Sequence, residues 1–444
     1  MDSPGGGRDN PRPMRTRPFF ALLAASAMLA PASCHCTGDS GATGTAMSAA
    51  PTASAAPEIG EQAARLANGL SAELVTGPCG DSAAVVVLLP VGIDHDPPGR
   101  SGLVRLLGRL LATAAPAGGP RTVETGNDST LYAVTTTGDQ VLQELDGVAR
   151  WLAKPPVDEA SLARERAPML EELGKLTGTD AAMTALSLAE EGVAPTRGNG
   201  KRRGVAAEVS AITVAEAQAF WEAHFAAGNA RLWVAGRYDT VKTRAHLDAA
   251  FGSLAAGKPP TLREPGDASV RGTLVMGDAP TAVAIAVPAP APADPLHAPF
   301  VALAARILEK PSAPRTWEVS YDPLKRPDLL FVTGPVGQAE QPEPAAGRMR
   351  DEVKAVLSRP LDAEDIARAR RTFPLYVGPL TDPAVCAADP RAFAAARARR
   401  TQLGIDGTAL EKALESVSKE QLEEAAKLFE VKKTAAVIAG GKLP

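Results

Sequence analysis

The chain is poor in histidine, cysteine and aromatic residues, and each shortage removes a class of explanation. The five histidines in 444 residues, His35, His95, His224, His246 and His297, never stand four positions apart, so no two of them share one helical face around a metal. Of the four cysteines, Cys34 and Cys36 sit near the N-terminus and only Cys79 and Cys386 remain. At most one bridge in the body of the chain follows, and disulfides do not hold the fold together. Aromatic residues make up 4% of the chain, while alanine, proline, glycine and arginine abound; we read that balance as a coding bias. No G-x-S-x-G elbow and no G-x-x-x-x-G-K-[ST] loop occurs, which removes serine-hydrolase and P-loop readings. A net charge of −4 with 22% charged residues gives no basic field for nucleic acid, so nucleic acid is excluded as a partner.

What is present starts at the N-terminus. Arg15 and Arg17 precede an apolar run from Phe19 to Ala30, the layout of a secretory signal. At about 12 residues the run is too short to cross a bilayer, where roughly 20 are needed. Met14 is an alternative start. Two endings compete: Ala30-Pro31-Ala32 fits signal peptidase, whereas Pro31-Ala32-Ser33-Cys34 resembles a degenerate lipoprotein box in which Cys34 carries a lipid. The Cys34-His35-Cys36 triplet reads as a processing site, because three adjacent residues cannot close a tetrahedral metal site. Residues 1–34 are thus a signal peptide and 35–59 an Ala/Ser/Gly/Thr tether. The expected location is the bacterial cell envelope, periplasmic or lipid-anchored, with any membrane attachment made through the lipid.

Beyond the tether the chain repeats itself once, at an offset of about 204 residues. DEASLARER at Asp158 to Arg166 matches DAEDIARAR at Asp362 to Arg370, and TVAEAQAFWEAHF from Thr213 matches SKEQLEEAAKLFE from Ser418. Each later copy runs into an apolar strand ending in glycine, ARLWVAGR and AAVIAGG. The spacing predicts a strand over 82–89, a helix over about 101–114, a strand over 131–137, a helix over 140–152, and capping boxes at Thr213/Glu216 and Ser418/Gln421. Phe220, Trp221 and Phe225 fall at helical spacing and read as core. The basic run Arg197 to Arg203 reads as a solvated loop. The fold class is α+β, with homologous αβ domains at 60–256 and 269–444 joined by a Pro/Gly-rich linker at 257–268.

These residues carry a resemblance. ANGLSAELV at Ala67 to Val75 is similar to the opening strand of the pitrilysin/insulinase zinc peptidases, a family that includes the mitochondrial processing peptidases. VGIDHDPPGRSGLVRLLGRLLATA at Val91 to Ala114 is similar to their metal-binding loop and helix, ARERAPMLEEL at Ala163 to Leu173 to the helix of the third ligand, and HFAAGNARLWVAGRYD at His224 to Asp239 to the closing helix and strand. The resemblance implies two αβ domains, each a mostly antiparallel sheet backed by helices, arranged as a clam shell. It also implies zinc endopeptidase chemistry on an inverted H-x-x-E-H, in which two histidines bind zinc and the glutamate is the general base.

In this chain the matching positions read R-L-L-G-R: Arg105 and Arg109 replace the histidines and Gly108 the glutamate. A guanidinium has no lone pair to give a metal, and glycine has no side chain to take a proton. No catalytic residue and no zinc or other cofactor is therefore expected. By resemblance Glu172 matches the third ligand and Glu165 a neighbouring acid. Arg109, with Arg105, is expected to reach these carboxylates in place of the metal, the alternative being a plain solvated face. The family's second domain carries an arginine and a tyrosine seven apart that hold substrate; here Arg315 and Tyr321 stand six apart. They are candidate substrate-binding residues, and the alternative is a surface cation and a core aromatic. The expected function is an exported, inactive pseudo-peptidase pairing with a zinc-bearing homologous subunit, or with itself, around a peptide substrate. Alternatives are an active metallopeptidase with an unrecognised site, and a stand-alone envelope peptide-binding or scaffold protein.

Overall fold

The computed structural model describes residues 59–440, apart from Pro78 and the segments 115–118, 177–180, 194–202, 262–272, 277–280, 310–316, 338–339, 360–362 and 431–433. The signal segment, Cys34, the tether and most of the linker lie outside the described residues, as do Arg315 and all of the basic run but Arg203.

Two sheets organise the chain. The first contains β1 (Gly60–Arg65), β2 (Ser71–Thr76), β3 (Ser82–Leu89), β4 (Arg121–Thr125), β5 (Thr130–Thr137) and β6 (Arg231–Gly236), in the order β1-β2-β6-β3-β5-β4. The second contains β7 (Thr273–Met276), β8 (Ala282–Pro288), β9 (Glu318–Ser320), β10 (Leu329–Pro335) and β11 (Ala435–Ala439), in the order β7-β11-β8-β10-β9. Each sheet is antiparallel except for one pair, β2 with β6 and β7 with β11. The orders superimpose when β7, β11, β8, β10 and β9 are set against β2, β6, β3, β5 and β4. The first half's helices are α1 (Leu103–Ala114), α2 (Val141–Ala153), α3 (Glu159–Leu176), α4 (Ala181–Val193), α5 (Ala206–Ala211), α6 (Val214–His224) and α7 (Thr240–Phe251). The second half has α8 (His297–Leu308), α9 (Pro342–Leu357), α10 (Ala363–Thr372), α11 (Pro383–Ala388), α12 (Pro390–Leu403), α13 (Gly407–Glu415) and α14 (Lys419–Ala426).

The predicted elements form for the reasons given by their residues. Both capping boxes close: Thr213 and Ser418 accept from the N–H groups of Glu216 and Gln421, whose side chains reach back to the cap residues' own N–H groups. Strand β3 is apolar at nearly every position because it is buried on both faces. Val85, Val87 and Leu89 join the leucines of α1, with Trp221 and Phe225, in the main core of the first half. Val86 and Leu88 point the other way.

That other face is covered by the opposite half. From the second half, α12 lays Phe393, Ala394, Ala396 and Ala398 on Val86, Leu88, Leu131, Ala133 and Trp233 of the first sheet. In return, α4 sets Ala185 and Ala189 against Ala284, Ala286, Phe331 and Val437 of the second sheet. Alanine at these positions lets a helix lie close on a sheet, which gives part of the chain's alanine excess a structural use. Polar ties join the halves as well. Glu124 on β4 accepts from Arg399 at 2.7 Å and pairs with Lys325 at 3.0 Å, and Glu73 accepts from Arg397 at 2.6 Å. Cys79, in the β2–β3 loop, is disulfide-bonded to Cys386 on α11, across a separation of 307 residues.

Candidate functional site

Helix α1 is set in place by its N-terminal loop. Both carboxylate oxygens of the buried Asp96 accept backbone N–H bonds, from Gly102 at 2.6 Å and Val104 at 2.8 Å, as a helix N-terminus demands. Burial pushes the Asp96 carboxyl up to about 7, against the pull of those two donors and with Asp94 and Glu208 adding to the rise. Ser101 donates its N–H to Glu208 at 2.8 Å and accepts from Val205, tying the loop to α5. The six leucine and valine positions of α1 are buried, so the remaining face, with Arg105, Gly108 and Arg109 at i, i+3 and i+4, turns toward α3 and β4.

On that face the guanidinium groups meet one carboxylate. Arg105 Nη2 donates to Glu172 Oε2 at 2.7 Å and Arg109 Nη1 to Glu172 Oε1 at 2.8 Å. Arg105 Nη1 also donates to the Arg203 carbonyl at 3.1 Å. Glu165, one double-turn earlier on α3, lies 3.8 Å from Arg109 Nε and accepts from Arg164 Nε at 3.0 Å. Arg109 Nε is buried and makes no hydrogen bond of its own. Both arginine side chains are 28% exposed and Glu172 is 45% exposed, so this is a half-open ion cluster at the surface of the helix pair. Burial lowers the pKa of Arg105, opposed by Glu172 and aided by Arg203 and Arg109.

Gly108 completes the picture. A Cβ built on it collides with the Thr125 hydroxyl and touches Val123, both on β4. The edge strand β4 occupies the volume that a side chain at position 108 would fill, and glycine is what allows that approach.

The residues present do not fit zinc. Zinc needs lone-pair donors, usually thiolate, imidazole or carboxylate, at about 2.0–2.3 Å, and the carboxylates that face the two arginines are Glu172 and Glu165. Both oxygens of Glu172 already accept from guanidinium N–H groups. Among the described residues no histidine repairs the set from another element: His95 bonds to Gly92, His224 to the Lys258 carbonyl, His246 to Asp146 at 2.8 Å, and His297 to Tyr376 at 2.7 Å. Among the described residues no group of three or more His, Cys, Asp and Glu side chains is arranged to hold a metal.

Tyr321 follows β9 and is buried, edge-on to Phe300 and Phe373, with its hydroxyl 3.5 Å from the Pro327 carbonyl. Burial raises its pKa well above the usual tyrosine value. These are the surroundings of a core aromatic, though the ring also borders a cavity of about 560 Å3 between the halves. Sequence reading missed Thr125, the Arg203 carbonyl and Asp96; only Asp96, an acid shortly before a predicted helix, left a signal there.

With this geometry in view, the stretch from α6 and β6 through β10 to α10 carries a family signature: residues 211–373 match the family described as "Peptidase M16 inactive domain". Solved structures agree over far more of the chain. A protease from Helicobacter pylori superimposes with a TM-score of 0.68 at 15% identity, over 86% of this chain and 99% of that one. The fold is that of the M16, or pitrilysin, peptidases. An M16 inactive domain from Pseudomonas fluorescens matches with a TM-score of 0.63 at 17% identity, over 87% of this chain and 100% of that one. Pitrilysin itself matches with a TM-score of 0.58 at 14% identity, over 87% of this chain and 45% of its own length. No curated protein matches the chain by sequence. The M16 signature begins after Arg105, Arg109 and Glu172, whose chemistry follows from the donors present there.

Proposed function

We propose that the chain is an exported, catalytically inactive M16-type subunit that pairs with a homologous zinc-bearing chain in peptide processing or degradation. The observation that carries this reading is the replacement of the whole metal set at one helix face. Two permanent cations share the carboxylate that would complete a zinc site, and a threonine from β4 stands against the glycine that would be the base. A fold kept intact around a site without donors fits a role in shaping a peptide chamber or holding a partner. Export is supported by the Cys79–Cys386 bridge, since such bonds persist in oxidising compartments, and by the signal-like N-terminus. Attachment through a lipid on Cys34 belongs to the same reading, and the intact mass of the protein purified from membranes tests it.

The deciding experiment is co-expression with a homologous chain that retains H-x-x-E-H, followed by co-purification and peptidase assays of each chain alone and together. The reading expects no hydrolysis by this chain alone, a stable complex, and activity or substrate range in the complex that the zinc chain lacks by itself. Metal-dependent hydrolysis by this chain alone would overturn it.

A further inference from the structure

The guanidiniums at the α1–α3 contact outnumber the acids that pair with them. Arg105 and Arg109 share Glu172, and Arg164 donates to Glu165 at 3.0 Å. A fourth guanidinium comes from Arg203, the last residue of the basic run before α5. Its carbonyl accepts from Arg105 at 3.1 Å. Its charge opposes that of Arg105 more strongly than Arg109 does, and both repulsions help to lower the Arg105 pKa. Among the described residues Arg203 forms no ion pair. Four permanent cations thus meet two carboxylates at a half-open surface, where partial loss of water strengthens each charge.

The donors that remain unused are not all closed off. Of the cluster's nitrogens without a bond, Arg109 Nε and Arg203 Nε are the buried ones. Arg109 Nη2 and the two Nη atoms of Arg203 also make no bond and are outside that buried set, so they are open to a ligand. Where a metal site gathers electron-pair donors, this surface gathers N–H donors and a surplus of positive charge.

We propose that the cluster binds a small oxyanion, held by the open Nη groups of Arg203 and Arg109 in competition with the Glu172 carboxylate. A planar guanidinium matches the oxygens of a phosphate or carboxylate through parallel bonds, and the added negative charge relieves the repulsion among the arginines. Two sources share this chemistry, free phosphate and the C-terminal carboxylate of a peptide. The proposal rests on the reading that the metal centre is lost, but the two fail differently. Zinc bound at Glu172 would sink that reading, whereas a zinc-free chain that ignores both oxyanions would sink only this one.

The test is calorimetric titration of the full folded chain, at constant ionic strength, with inorganic phosphate and with N-acetyl-Gly-Gly as the free acid and as the C-terminal amide. Saturable binding of at least one oxyanion is expected, the tighter one names the source, and the amide should fail. Glu172→Gln removes the rival acceptor and should tighten binding about threefold, the opposite of its effect on any cation. Arg203→Met should fold, since it breaks no ion pair, and should weaken binding about tenfold. Failure of both oxyanions to bind, an amide that binds as well as either, binding no tighter in Glu172→Gln, or undiminished binding by folded Arg203→Met would overturn it.

Discussion

Helix pairs at matching places in the two halves are both joined by arginine and carboxylate, in different surroundings. In the second half, α8 and α10 are pinned by Arg306 and Asp365, whose side chains are 1% and 3% exposed. Arg306 spends its other donors on the Leu357 and Arg359 carbonyls, and Arg368 adds a second guanidinium to Asp365 and reaches Glu309 at 2.6 Å. In the first half, α1 and α3 are joined by Arg105, Arg109 and Glu172, half open to solvent. The buried pair is saturated with bonds and is a structural rivet. The open cluster leaves Arg109 Nε without a bond and sits where the family resemblance puts a metal. The same pair of chemical groups is thus a saturated interior tie in one half and, in the other, a half-open cluster that our proposal reads as standing in for a metal centre.

Breaking the buried side should cost most. Asp365→Ala leaves the buried Arg306 guanidinium without its carboxylate, and we expect a loss of about 3–5 kcal/mol in denaturant unfolding. Next comes the bridge between the halves: replacing Cys79 and Cys386 together by serine should lower stability by about 2–4 kcal/mol, seen as a lower Tm that reductant no longer changes. Opening the exposed side should cost less. Glu172→Ala removes the acceptor of two partly exposed arginines, with an expected loss of about 1–2 kcal/mol that shrinks in high salt. The smallest effect sharpens the comparison at Gly108. Gly to Ala inside a helix normally gains about 1 kcal/mol, but here Gly108→Ala should give no gain, and in a Thr125→Ala background the gain should return; a double-mutant cycle measures the coupling. Equal stability losses for Asp365→Ala and Glu172→Ala would erase the distinction between rivet and replacement.

Much of this was open to a reader of the sequence, because it depends on local order. The apolar spacing that gives α1, the β-branched apolar run of β3 and the two capping boxes are each decided within a few residues. The arginines at i and i+4 had to share a face, and α3 offered carboxylates a double-turn apart, so the two sets were candidates to meet. Other features are decided by contacts distant in sequence. Nothing near Gly108 indicates that Thr125 packs on it. The alanines of α4 and α12 read as ordinary helix formers until each helix is seen on the other half's sheet.

The most direct test of the proposed loss of the metal centre is the metal content of the pure chain after equilibration with micromolar zinc and removal of free metal, measured beside Glu172→Gln. Zinc far below one per chain is expected in both proteins, because a guanidinium has no lone pair to offer and both Glu172 oxygens already accept from Arg105 and Arg109. One tightly held zinc per chain, lost on changing Glu172, would contradict it.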